Sequence, residues 1–476
     1  MFRSVVFSII LTVLLITGEV GHASNVTAPV DCQLRYSVTP DTVRVVLDCP
    51  WEVPITDLST TTAAMVSLAT PLDLPRCSIS IDDAIVTDVT LAPDLFGQMM
   101  LTVSLAKARK CRVFTVPAED HKPFRVVIDI LKQFETRDSS DLSPAISYTH
   151  WEKQTDTRYF AVHLLDVNLT DPHVRLDVVA AQGERERVSA MVQRTSAVAG
   201  VNGGYFTDGT RPVGLLKVAG QVLALPIWSR TALAVPTTGN PVFLNPLGVW
   251  RLTLPDGSHR DILDPLDASV RTPAPDSQLY AGATYQRAPA IPHGLNLLLR
   301  GGVVVARNAE AMPIAPGEYL LQVRNADFAT LDPLLPVGAT VTVAPVLTPD
   351  LSGYAAAVGA GPRLVSHGDI AITGVTERFK PDILTACPAR TAVGLTAAHH
   401  LLVVAVEAPC AWGGGMTLEE LAMLLHTCGA SEAMNLDGGG STTMVVGGDT
   451  VTCRPGAWVR PVASGVLIYD DRVTSK

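Results

Sequence analysis

Charge is scarce in this chain. Asp, Glu, Lys and Arg make up only 17% of its 476 residues, against 47% hydrophobic residues. That balance excludes a disordered chain, which is charge-rich and apolar-poor. It also excludes a coiled coil, which is built from Ala, Glu, Lys and Leu. The surplus of acid leaves a net charge of −10. A general nucleic-acid binder needs clustered cations instead. The sequence has no G-x-x-x-x-G-K-[ST], no G-x-S-x-G and no H-E-x-x-H, so the P-loop, α/β-hydrolase and zincin chemistries are absent. His399-His400 has no partner at metal-ligand spacing. Beyond Ile16 no apolar run approaches the roughly 18 residues of a membrane-spanning helix. There is no Cys-x-x-Cys pair, and no cysteine at all between Cys111 and Cys387.

What is present begins with an export signal. Arg3, the apolar run Val5–Ile16 and the small residues of Gly21-His22-Ala23 follow the secretory pattern, so residues 1–23 are excluded from the fold as a signal peptide. The cysteines fall into two groups of four: Cys32, Cys49, Cys77 and Cys111, then Cys387, Cys410, Cys428 and Cys453. In an exported chain this reads as two disulfides per domain, with three pairings open in each group.

Residues 31–135 carry two similar β-branched runs, Arg44-Val45-Val46-Leu47-Asp48 and Arg125-Val126-Val127-Ile128-Asp129, among other short strand candidates. They predict a small all-β domain. Residues 136–144 are polar, lack periodicity and end in Pro144, which predicts a linker. Residues 145–476 alternate many strands with few helices. The clearest helix runs from Thr417, where Thr417 and Glu420 spell a capping box, to a terminating Gly429. It joins the apolar strand 401–407 to the strand 433–436, which predicts a βαβ unit with parallel strands. The expected fold class is therefore α+β: a small N-terminal all-β domain, then a larger mixed-sheet α/β domain with few helices.

Three constellations carry the chemistry. Val201-Asn202-Gly203-Gly204-Tyr205-Phe206 follows one strand. Arg390-Thr391-Ala392-Val393-Gly394 precedes a strand ending at Glu407. Asn435-Leu436-Asp437-Gly438-Gly439-Gly440-Ser441-Thr442-Thr443 ends a strand in an acid and three glycines. Parallel strands would bring Glu407 and Asp437 out on one edge, where ligands of such sheets bind. The glycines would let backbone N–H groups approach an anion. Taken singly, each glycine stretch also reads as a tight hairpin, Glu407 as a solvated strand end and Arg390 as a surface charge.

Together with Gly359-Ala360-Gly361-Pro362-Arg363-Leu364-Val365 and Gly415-Met416-Thr417-Leu418, these motifs resemble, in order, the phosphodiester glycosidase family over about residues 145–470. The sequence departs from that pattern at Glu407-Ala408-Pro409-Cys410. Residues 31–135 resemble an AMIN domain, a β module of exported envelope proteins. The resemblance implies an exported hydrolase that cleaves a sugar from a glycosyl-1-phosphodiester at the anomeric C–O bond, acting on an envelope or exopolysaccharide glycan. The competing reading is a non-catalytic glycan-binding protein of envelope assembly. Candidate catalytic residues are Asp437, facing an oxocarbenium-like centre, Arg390, facing the phosphate, and Glu407. Candidate substrate contacts are Asn202, Gly203, Tyr205, Thr391, Gly438, Gly439, Gly440, Ser441 and Thr442. Asn202 and Thr442 suit sugar hydroxyls or the orienting of a carboxylate. No cofactor is called for. A divalent cation could sit near Asp437, but no metal-ligand set is visible. The expected partners are a carbohydrate or glycan-phosphate substrate and, through residues 31–135, a cell-wall or envelope polymer, with neither nucleic acid nor an embedded membrane. The expected location is secreted or periplasmic.

Overall fold

The computed structural model describes residues 15–16, 32–60, 63–69, 76–107, 109–154, 159–207, 211–269, 274–408, 415–452 and 459–473. Apart from Leu15–Ile16, the expected signal peptide lies outside them. No helix among the described residues is long and apolar enough to cross a membrane. The chain divides into two compact units. The first holds the described residues up to Arg137, with Trp151–Gln154, Tyr159–Ala161 and Ala408; the second holds the rest.

The first unit is all β, in two five-stranded sheets. One sheet orders Leu15–Ile16, Gln33–Val38, Thr42–Cys49, Phe124–Leu131 and Cys111–Val116; the other orders Ile55–Asp57, Ala63–Leu68, Met99–Leu105, Val86–Pro93 and Cys77–Ser80. Both contribute to one apolar core, including Val45, Leu47, Ile128, Val66 and Val103. The two similar runs are antiparallel partners, with Arg44 opposite Asp129 and Arg125 opposite Asp48. Antiparallel pairing of two like motifs sets the head of each against the tail of the other. Arg44 accordingly grips Asp129 with two bonds of 2.7 Å. Asp48 is held instead by Arg35, at 2.6 and 3.1 Å.

The cysteines of this unit depart from the expected two disulfides. Cys77 and Cys111 are free thiols on strands of different sheets. Cys49 lies beside Cys32 just beyond the Gln33–Asp48 register pair, and its hydrogen bond with Cys32, followed by burial, raises its pKa. Oxidation with oxidised glutathione should therefore yield a Cys32–Cys49 peptide in non-reducing mass spectrometry and no Cys77–Cys111 peptide; the reverse pattern would refute this. In the second group, Cys410 and Cys453 lie outside the described residues.

The residues expected as a linker, 136–144, fall almost entirely in the strand β1 (Phe134–Ser143). It forms the edge of an eight-stranded sheet. A solvent-facing edge tolerates polar residues, so low hydrophobicity did not mark irregular chain here. The sheet continues with β2 (Ile146–Gln154) and β3 (Tyr159–Asn168). Next in the chain are β4 (Val174–Ala180), α1 (Val188–Thr195), β5 (Ala199–Asn202), β6 (Leu216–Val218), β7 (Ala232–Pro236), β8 (Tyr354–Gly359), β9 (Arg363–Ser366), β10 (Asp369–Ile370), α2 (Pro381–Thr385), β11 (Arg390–Thr396), β12 (His400–Glu407), α3 (Leu418–Thr427), β13 (Ala430–Asn435), β14 (Met444–Val446) and β15 (Ser464–Asp470). Between β7 and β8 the chain forms further small sheets around its own core of Trp250, Leu279, Leu297 and Leu321.

The large sheet runs β1-β2-β3-β12-β11-β13-β9-β10. A second orders β4-β15-β5-β14 with Asp449–Thr450, and a third centres on β6-β8-β7. Val201, Val358, Val403, Met434 and Val466, drawn from all three sheets, share one core. Fully burying such side chains supplies about 1.5–3 kcal/mol each. The capping box of α3 forms as read: Thr417 Oγ1 accepts from the Glu420 N–H at 3.1 Å, and Glu420 accepts from the Thr417 N–H at 2.9 Å. The strands flanking α3 are not neighbours, however. β11 lies between β12 and β13 and is antiparallel to both. β12 and β13 thus point the same way without pairing, and their C-terminal ends still share one edge.

Candidate functional site

That edge gathers the last residue of β12, the first of β11 and the loop after β13: Glu407, Arg390 and Asp437. Asn202, ending β5, reaches it from the second sheet. Asn202 is fully buried. Its Nδ2 donates to the Asp437 carbonyl at 2.7 Å. Its Oδ1 accepts from the Thr391 hydroxyl at 2.8 Å and the Thr443 N–H at 3.1 Å. The Asp437 N–H in turn donates to the Gly203 carbonyl at 3.1 Å. The peptide groups on both sides of the Asp437 Cα are therefore pinned by the end of β5. Asn202, Gly203 and Thr391 spend these groups on protein and set the position of Asp437.

The Asp437 carboxylate takes the Gly438 N–H on Oδ1 at 2.9 Å. Burial pushes its pKa up to about 6, against the downward pull of Ser441, Gly438 and Arg460. This is desolvation outweighing hydrogen bonding. Gly439 turns the loop with φ +57. The expected anion cradle of backbone donors is largely spent. Gly438 serves Asp437, Gly439 donates to Ala389, Ser441 to Gly438, and Thr442 to Gly439. What remains open is on side chains: Asn435 Oδ1, Ser441 Oγ and Thr442 Oγ1 are buried without a hydrogen-bond partner, although Ser441 stands close enough to Asp437 to lower its pKa. Buried polar atoms of this kind call for a ligand or water.

Arg390, expected to face the phosphate, is buried and spends two of its three guanidinium nitrogens on backbone carbonyls. Its Nε donates to the Met416 carbonyl at 2.9 Å, and its Nη2 to the Ile383 and Ala386 carbonyls at 3.1 and 2.8 Å. It clamps α2 and the segment leading into α3 onto the sheet. Two arginines that the sequence reading missed stand here too, one of them exposed and the other, Arg230, spent on the Glu377 and Arg378 carbonyls at 3.2 and 3.4 Å. Arg460 is exposed, and a Cβ on Gly440 would come within 3.0 Å of its guanidinium, so it lies over the glycine loop. Arg230 is buried 3.9 Å from the Phe379 ring centroid and 6.0 Å from that of Tyr205. The Tyr205 hydroxyl donates to the Gly361 carbonyl at 3.0 Å and accepts from Asn435 Nδ2 at 2.9 Å. Burial raises its pKa. Its ring packs on Phe379 at 5.6 Å, so it orients Asn435 and lines the wall.

Glu407 is partly exposed and meets another residue the sequence reading passed over. Its Oε1 lies 2.8 Å from His163 Nε2, and His163 Nδ1 lies 2.7 Å from the Tyr148 hydroxyl. A signal for His163 was available. Both faces of β3 are buried over 161–165, and on the face of 161, 163, 165 and 167 a histidine interrupts a stripe of Ala161, Leu165 and Val167. Nothing in the local sequence marks Arg460. Among the described residues no group of three or more His, Cys, Asp and Glu is arranged to hold a metal ion, around Asp437 or elsewhere.

Residues 293–469 match the model of the family described as phosphodiester glycosidase. The segment contains Arg390, Glu407, Asp437 and Arg460 but not Asn202, Tyr205 or His163. No curated protein matches the chain significantly. Among solved structures, a hypothetical protein from Synechocystis is similar at 20% identity and a TM-score of 0.67, over 93% of this chain and 81% of that one. A candidate exported protein from Burkholderia pseudomallei is similar at 19% identity and a TM-score of 0.53, over 88% and 96%. These two share the fold. The catalytic domain of zebrafish N-acetylglucosamine-1-phosphodiester alpha-N-acetylglucosaminidase, auto-inhibited by its pro-peptide, aligns at 15% identity and a TM-score of only 0.35, over 76% and 89%.

Proposed function

We propose, taking the phosphodiester glycosidase match of residues 293–469 as premise, that this chain is an exported hydrolase. It releases a sugar from a glycosyl-1-phosphodiester by breaking the bond between the anomeric carbon and oxygen. The observation that carries the reading is Asp437, a largely desolvated carboxylate with its backbone pinned on both sides, beside the unpartnered Asn435 Oδ1 and Thr442 Oγ1. A negative charge fixed in a partly desolvated site stabilises an oxocarbenium-like transition state more strongly than one in water. The phosphate monoester leaves as a stable anion. Its charge is met by the exposed Arg460, with Arg390 holding the surrounding backbone. Asn435 and Thr442 bind sugar hydroxyls.

An envelope or exopolysaccharide glycan is the substrate class that goes with the N-terminal export signal, and the all-β first unit is assigned to holding the envelope polymer. The test is hydrolysis of phosphodiester-linked sugars in ¹⁸O-water. The label is expected in the released sugar. Label in the phosphate would mean attack at phosphorus, and tight glycan binding with no turnover would favour a non-catalytic envelope protein.

A further inference from the structure

His163 is an imidazole placed in an apolar stripe, and it is 2% exposed. Burying it is tolerable only if both ring nitrogens are bonded, and both are. The order of donors follows from chemistry. Burial, and then the nearby Glu407, push the Tyr148 phenol up to about 12, so at neutral pH it keeps its proton. Nε2 faces the Glu407 carboxylate, which can only accept, so Nε2 carries the ring proton and donates to Oε1. Nδ1 is then left to accept from the Tyr148 O–H. The imidazole plane is fixed by His150, which stacks on it at 4.6 Å with 18° between planes, and by the nearly coplanar Tyr148 ring whose hydroxyl meets Nδ1. Glu407, at the mouth of the sheet, keeps Oε2 without a partner among the described residues.

The row Tyr148–His163–Glu407 thus crosses β2, β3 and β12 and ends at the edge where Asp437 emerges. It has the form of a base oriented by a buried group behind it. We infer that His163, fixed by Tyr148, is a positioning residue that holds Glu407 as the base for the attacking water. This rests on the function proposed above. The water proton passes to Glu407 Oε2 as the water oxygen bonds to the anomeric carbon. The carbon–oxygen bond to phosphate breaks, and its electron pair leaves with the phosphate. Asp437 remains the fixed charge facing the ring.

The experiment measures kcat and KM on a phosphodiester-linked sugar for the full chain and its variants. Glu407→Gln should lower kcat on the order of 10²–10³-fold, in the range of a lost general base. His163→Leu should lower it about 10–100-fold with KM nearly unchanged, and Tyr148→Phe several-fold, as expected of groups that position a base. His163→Gln, which can return an N–H to the same carboxylate, should recover part of the loss. The double variant His163→Leu/Glu407→Gln should be no slower than Glu407→Gln alone, because His163 acts only through Glu407. Independently of turnover, ¹⁵N NMR of the imidazole should show a protonated Nε2 and a bare Nδ1.

Full kcat in folded His163→Leu and Tyr148→Phe proteins would overturn the inference. So would multiplying losses in the double variant, or a proton on Nδ1. A wild-type protein inactive on every phosphodiester-linked sugar would instead remove the proposed function, and the role of Glu407 with it.

Discussion

Asp437→Asn should make the protein more stable and nearly inactive. The folded-state pKa of about 6 stands above the ordinary 3.8. The protonated carboxyl is thus favoured by folding. That contribution is full below pH 4 and is lost as pH rises through about 4 to 6, where the unfolded chain is already ionised. At neutral pH the native state carries an ionised, desolvated carboxylate at a cost on the order of 1–3 kcal/mol. Asparagine has the same shape and no charge to desolvate. Urea unfolding at pH 7 should show a gain of that order, vanishing by pH 4. The same change removes the charge facing the anomeric centre, and kcat should fall on the order of 10²–10³-fold. Opposite signs are what a stability–activity trade-off at a working carboxylate requires. A variant of unchanged stability and full activity would show that Asp437 is neither desolvated nor catalytic.

Asn202→Ala should be costly in both respects. It strands the Asp437 carbonyl and the Thr443 N–H in a fully buried place, and it deprives the Thr391 hydroxyl of its acceptor. Unsatisfied buried groups cost about 1–3 kcal/mol each, so a loss of about 3–4 kcal/mol is expected in urea unfolding. Because the side chain pins the peptide of Asp437, kcat should also fall on the order of 10–100-fold through misplacement of the carboxylate. A loss below about 1 kcal/mol would mean that water replaces the amide, and the pin would not be structural.

What the sequence disclosed and what it hid divide along the range of the interactions. The capping box at Thr417 and Glu420 involves residues three apart, and it was legible. So were the glycine loop after β13 and the apolar runs that became β12 and β15. The neighbour of β12 was not legible. β11, which precedes β12 in the chain, also pairs with β13, and only the assembled sheet decides this. Glu407 and Asp437 reached one edge as expected, through an intervening antiparallel strand rather than as a parallel pair. Arg390 was expected to face the phosphate, and its hold on the segments around it was not legible. Its partners are three backbone carbonyls, which any sequence supplies and none advertises. The polar strand at 134–143 misled for the converse reason, since polarity reports exposure and not irregularity.

The bond from Asn202 to Asp437 spans 235 positions of chain. Joining such distant points costs loop-closure entropy before any contact rewards it, and topologies of this kind fold slowly. The carboxylate is therefore not a property of its local segment. Synthesis must run past Thr443, and the last strands must dock against β5, before Asp437 is aimed at anything. Until then the growing polypeptide holds an ordinary solvated aspartate on a glycine loop, and its reactivity is an emergent property of closure.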